Sequence, residues 1–286
     1  MVGLWEELIP ADEAAAAFYR AYSAQALQGA TTGGQLHSMD FLTYAYLQRA
    51  QDREAQRLVT ERDGIQKFFV RLLALDTAYA AIPVRYAIER GQWAEAAQTT
   101  PVTSNFPAAT AISHFGRALG AARSGNPAGA KADLTRLEVL RDALAQAKQT
   151  YWTEQVEIQR KAAEAWVAKA EGRVDEAIVT MRAAADLEDR SEKHIAMENR
   201  LIPMRELLAD MLLESGQPQA ALQEYEASLE TAPNRFRSYY GAAQAAERTG
   251  NTVRTRIYYE KLVALGVRAD TERPELQAAK AFLTKP

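Results

Sequence analysis

Nowhere along the 286 residues do apolar and polar positions alternate with period two for long enough to predict a strand. Ala, Leu, Glu, Gln and Arg dominate instead, and these are strong helix formers. Small residues recur at fixed offsets from a series of glycines. Around Gly216 stand Ala209, Ala221, Tyr225 and Pro233; 34 residues on, around Gly250, stand Ala243 and Tyr259 at the matching places. Read backward, the same offsets fall on Gly172 with Ala165, Ala177 and Ala184, on Gly125 with Ala118 and Ala130, and on Gly91 with Ala96. A weaker copy has Ala50 in the glycine place and Ala55 beyond it. Each unit therefore predicts a helix, a tight turn at the glycine and a second helix. The small residues let the two helices approach, the tyrosine fills the space beside them, and a proline closes the unit.

The turn positions 50, 91, 125, 172, 216 and 250 are separated by 41, 34, 47, 44 and 34 residues. The long steps predict extended helices or an inserted loop, placed at 186–203. The opening helix is expected over 11–28. The glycine-rich "GATTGGQ" after it predicts a break that leaves that helix free to move. Pro83 predicts a helix start or a kink, and "ERPELQAAKAFLTK" a capping helix.

This spacing resembles the tetratricopeptide repeat. Segments such as "LHSMDFLTYAYLQ", "AIPVRYAIERGQWAEAA" and "ADLEDRSEKH" are similar to a group of uncharacterised bacterial repeat proteins. Members of that group are usually longer and often exported, which implies that the chain is their C-terminal portion. The group usually carries a Pro- and Gly-containing stretch after its Glu-Lys-His, and "EKHIAMENRLIP" departs from it. The expected fold is all-α. It is a right-handed superhelical α-solenoid of about six repeats over 36–269, between an opening segment, 1–35, and a cap, 270–286, as a single domain.

Charge and composition remove several functions. A net charge of −3 with no Lys/Arg-rich tract gives no field for nucleic acid. No cysteine is present, so thiol catalysis, disulfides and thiolate metal sites are excluded. No apolar run approaches the roughly 20 residues of a membrane span. The start "MVGLWEELIP" lacks the features of a signal peptide. As written the chain reads as cytoplasmic; a trimmed form of an exported protein would read the same way.

In this repeat the first helix of each pair lines the concave side. The inward positions of the frame are His37, Asp40 and Tyr44, then Arg85 and Glu89, Arg123, Trp166 and Lys169, Glu206 and Asp210, and finally Arg237, Tyr240, Gln244 and Arg248. Aromatics, arginines and carboxylates in such a groove suit a protein or peptide partner, anchored by rings and oriented by ion pairs. The competing reading is a set of solvated helix faces. Trp166 divides evenly between core packing and ligand stacking, whereas Tyr225, Tyr239 and Tyr259 read as core. The function expected is a binding scaffold without catalysis, cofactor or metal. Its exposed repeat ends leave room for self-association. The alternative is a small-molecule or metal site, enzymatic in the extreme case, built around His37, Asp40 and His114, with His194 as the third histidine. No metalloprotease, calcium-loop, nucleophile-elbow or nucleotide-loop motif accompanies it.

Overall fold

The computed structural model describes residues 3–191 and 200–284. Fourteen α-helices run through them: α1 Trp5–Ala26, α2 Gly33–Gln48, α3 Asp52–Asp63, α4 Leu73–Glu89, α5 Trp93–Ala97, α6 Pro107–Arg123, α7 Lys131–Gln146, α8 Thr150–Ala170, α9 Val174–Arg190, α10 Met204–Glu214, α11 Pro218–Thr231, α12 Phe236–Arg248, α13 Thr252–Leu265 and α14 Pro274–Leu283. Among the described residues no strand forms; one isolated bridge joins Thr31 to Phe68. The helices pair as α2/α3, α4/α5, α6/α7, α8/α9, α10/α11 and α12/α13, an all-α tetratricopeptide-like solenoid of six hairpins between α1 and α14.

The hairpins turn where the frame places them. Gly91, Gly125, Gly172, Gly216 and Gly250 all have φ between 66° and 85°, and Ala50 takes the same left-handed backbone at 54°. After each turn an N–H reaches back five residues to a carbonyl, as Gln92 does to Ala87 and Gln217 to Leu212, both at 2.9 Å. This is the bond that satisfies the orphan carbonyls of a helix end. A further turn of this kind, absent from the frame, joins α7 to α8 at Lys148, with φ 57°. The predicted small residues at the helix crossings, from Ala55 to Ala243, are fully buried.

The long steps have separate causes. Between α3 and α4 lies the loop 64–72, held by Thr31 N–H to Lys67 O and Phe69 N–H to Thr31 O, both 2.9 Å. The step of 47 is made of α7 and α8, of 16 and 21 residues. α9 continues through Arg190, so 186–190 are helical where an inserted loop is expected, and 192–199, with His194, lie outside the described residues. Conversely α5 is only five residues long. Pro83 sits inside α4 without ending it. A proline there has no N–H for the carbonyl of Tyr79, and Arg62 Nε supplies the missing donor at 2.8 Å.

The array closes on itself. Trp5 of α1 and Tyr44, Ala45 and Ala50 of the first hairpin share one buried cluster with Phe236, Tyr239, Ala243 and Tyr259 of the last and Leu276 of α14. Trp5 Nε1 donates to Asn234 O at 2.7 Å, and Phe236 N–H to Gln48 Oε1 at 2.9 Å. The opening helix is therefore anchored at Trp5, and again by Arg20 to Glu61 at 2.6 and 2.8 Å, rather than loosely attached. The C-terminal segment does more than cap. Arg273 grips Asp52 through two bonds, 2.7 and 2.6 Å, across 221 residues, and both side chains are buried. Asp270 accepts from the N–H groups of Arg53 and Glu54, at 3.1 to 3.2 Å, in the first turn of α3. That turn has no cap of its own, because Gln51 at the N-cap makes no side-chain bond.

Candidate functional site

The inner layer of the solenoid is built from α2, α4, α6, α8, α10 and α12. Closure turns it into a buried polar network. At its centre is Arg235, fully buried, placed by the left-handed Asn234 just before α12. Its guanidinium donates to Glu206 at 2.8 and 3.0 Å and to Tyr44 Oη at 2.6 Å. It also lies 2.9 Å from Glu89 Oε1, an ion pair whose angle falls short of a hydrogen bond and leaves both Glu89 oxygens without one. Ser238 Oγ donates to Glu206, and Arg237 Nε reaches the same carboxylate at 3.1 Å.

From Arg237 the chain of charges runs outward. Arg237 and Arg123 both reach Asp210 Oδ2 at 2.6 Å, while Tyr225 Oη donates to Oδ1 at 2.6 Å. Arg123 and Lys169 meet at Glu214, each at 2.6 Å. The Arg123 guanidinium lies 4.0 Å from the ring centres of both Trp93 and Trp166, held between two aromatic faces. Arg248 donates to Leu213 O at 2.9 Å beside this rim.

Burial opposes charge on these carboxyls, yet their titration is lowered. For Glu206 the Arg235 charge and hydrogen bonds, then Arg237, outweigh burial. For Asp210 the charges of Arg237 and Arg123 and the bonds from Tyr225 and Arg123 do the same. The phenol of Tyr225 moves the other way, well above its ordinary value, through burial and the Asp210 charge.

The structure distributes the sequence-predicted residues in three ways. Tyr44, Glu89, Glu206, Asp210, Arg237, Arg123, Trp166 and Lys169 come together with Arg235 in the network just described. Asp40 and Arg85 form a neighbouring buried pair at 3.1 Å; Arg85 also donates to the carbonyls of Arg200 and Leu201, at 3.0 and 3.4 Å, and lies 4.9 Å from the Tyr44 ring centre. Tyr240 and Gln244 are half-buried and bonded to each other at 3.0 Å, and Arg248 is exposed. The residues expected to line an open groove are thus largely occupied by one another. Trp166 is buried, and its Nε1 has no hydrogen-bond partner.

His37, Asp40 and His114 are not assembled. His37 is exposed with its ring on Phe41, Asp40 faces Arg85, and His114 Nδ1 lies 2.7 Å from Asp133 in its own hairpin, where Arg117 also binds. Among the described residues no group of three or more His, Asp or Glu is placed to hold a metal ion. No helix among them is long and apolar enough to cross a membrane.

Sequence reading missed Arg235, Asp52, Asp270 and Arg273. A signal exists for Arg235 alone: it follows the "APN" turn and enters the helix one residue ahead of the frame. Three clefts of about 420, 530 and 460 Å³ open along the closure seam.

The chain matches no protein-family model and no curated protein. Among solved structures it is similar to a tetratricopeptide repeat protein from Parabacteroides merdae, with 13% identity, 97% of this chain and 91% of that chain covered, and a TM-score of 0.45. The assignment to a tetratricopeptide-like architecture stands on the turns and crossings of the chain itself.

Proposed function

We propose that the protein is a non-catalytic scaffold that binds a protein or peptide segment along its inner layer, entering at the rim formed by Arg123, Lys169, Glu214 and Arg248. The observation that carries this reading is the Arg123 guanidinium held between two tryptophans while sharing its charge with Asp210 and Glu214. Such a group is preset for a carboxylate, and a partner's carboxylate competes directly with Glu214, whose side chain is 43% exposed. With Asp210 counted beside Glu214 the rim has three cations to two carboxylates, an excess that favours an acidic segment. Tyr240 and Gln244 extend the surface along α12. Asp40, Tyr44, Arg85 and Glu89 form its far wall, which a segment reaches only by displacing the buried pairs they make, while His37 stands exposed on α2.

The test compares the folded wild type with Tyr240→Ala/Arg248→Glu as bait. Tyr240 is half-buried against the seam cluster and Arg248 is exposed, so the helical circular-dichroism spectrum of the variant is matched to the wild type before the baits are compared. The expected result is loss of specifically retained partners from the variant. The same set of retained proteins on both baits removes the inner layer from the function.

A further inference from the structure

The outward face of α1 is unlike the others. The outer helices α3, α7, α9, α11 and α13 expose charged residues, among them Arg57, Arg136, Arg182, Glu230 and Lys261. On α1, Ala14, Ala17, Phe18, Ala21 and Tyr22 stand exposed; the exposed Glu13 precedes them, and the one charge between Ala14 and Ala26, Arg20, is half-buried and paired with Glu61. Phe18 and Tyr22, one helical turn apart, set their rings nearly parallel, 7° between planes. Among the described residues the exposed large aromatics are Phe18, Tyr22 and Phe69. Phe69 belongs to the loop whose backbone pairs with Thr31, just beyond the end of α1. All three aromatics therefore belong to one end of the array.

We infer that this face is a two-fold interface with a second copy of the chain, formed by antiparallel α1 helices crossing at Phe18. Charge fixes that occupant. The first turn of α1 carries the exposed Glu7, Glu6 being held by Arg49 at 2.7 Å, and the loop at its other end carries the exposed Lys67. Glu7 lies 11 residues before Phe18, and the helix ends at Ala26, eight after it, before the turn at Gly29. In an antiparallel pair centred on Phe18, each acidic turn then falls about 16 Å from the centre. That point is beside the Gly29–Thr31 end of the other copy, where its Lys67 loop is attached. The same surface is self-complementary, as a two-fold contact requires, and the helix dipoles oppose. Alanines flanking the rings allow close approach. The apolar surface offered is on the order of 600 Å² per copy, close to the roughly 800 Å² per partner of a standard interface once a polar rim is added. The inference is independent of the inner-layer reading, since α1 lies outside that layer.

Sedimentation equilibrium of the whole chain at graded concentrations tests it. The wild type is expected to reach twice the monomer mass. Phe18→Asp, at a position 64% exposed and outside the core, is expected to keep its helical spectrum and raise the dissociation constant more than about 100-fold. Lys67→Glu weakens the dimer, and Glu7→Lys added to it restores association. A wild type that stays monomeric overturns the inference, as does a dimer indifferent to Phe18→Asp. A charge swap that fails to restore association overturns the antiparallel pairing.

Discussion

Arg235→Met is the sharpest test of the closed array. The guanidinium is fully buried and neutralises two buried carboxylates on different helices, Glu206 of α10 and Glu89 of α4, while its third arm binds Tyr44 of α2. Methionine keeps the aliphatic volume and removes the charge. Glu206 retains Arg237 and Ser238; Glu89 has no hydrogen bond of its own and becomes a buried charge without a cation at contact distance. Breaking one side of a buried pair costs about 3–5 kcal/mol, a large share of the roughly 5–15 kcal/mol typical of a domain. If an uncompensated Glu89 is the cause, Arg235→Met/Glu89→Gln recovers about 0.5–3 kcal/mol of that loss, the range of coupling between contacting residues. Urea unfolding followed by far-ultraviolet circular dichroism gives the three stabilities. The reasoning fails if Arg235→Met costs less than about 1 kcal/mol, or if the two substitutions add within about 0.3 kcal/mol.

Asp270→Ala removes the only side-chain cap seen on α3 and is expected to cost about 1 kcal/mol; hydrogen exchange should accelerate at the Arg53 and Glu54 amides and stay unchanged in α11. Gly120→Ala improves helix propensity, yet a Cβ at that position would lie 2.5 Å from Ala97 N and 2.6 Å from Trp93 O, both backbone. Overpacking wins, and thermal unfolding should show a loss of roughly 1–3 kcal/mol; a gain would mean that α5 shifts freely. The lowered titration of Glu206 and Asp210 sets an acid limit. Their contribution is complete above the unfolded carboxylate range, about pH 4, and is lost as pH falls through their lower folded values. Small-angle scattering should therefore show the closed dimensions at pH 5 and expansion only well below 4; expansion at mildly acidic pH contradicts the assignment.

Local chemistry made the hairpins legible. A left-handed residue between two helices and a small side chain at each crossing leave marks at fixed spacing, and even Ala50 in the glycine place was readable from its neighbours. Lys148 was not, because nothing in its type marks a left-handed turn. The inner residues were readable by position, since helix period places His37, Asp40 and Tyr44 on one face. Their environment was not. Whether Glu89 meets solvent or Arg235 depends on the rotation accumulated over six hairpins, including the five-residue α5, and no short window of sequence carries that sum. The same holds for Asp52 and Arg273, partners 221 residues apart.

The inner layer has a logic that stability alone does not supply. Arg85, Arg123, Arg235 and Arg237 face Asp40, Glu89, Glu206 and Asp210, four charges against four. Apolar residues of equal volume would hold such an interior at least as firmly, because desolvation consumes most of the Coulomb gain. What the ion pairs add is a single admissible register: a slip of one turn where the ends meet separates Arg235 from Glu89 and Arg273 from Asp52 and leaves buried charges without partners. Alanines and leucines define each hairpin locally, and the charges define where the two ends meet. A partner able to supply equivalent charges removes that penalty and, on this reasoning, is the kind of molecule that opens the array. Shape-matched apolar segments lack the means to do so.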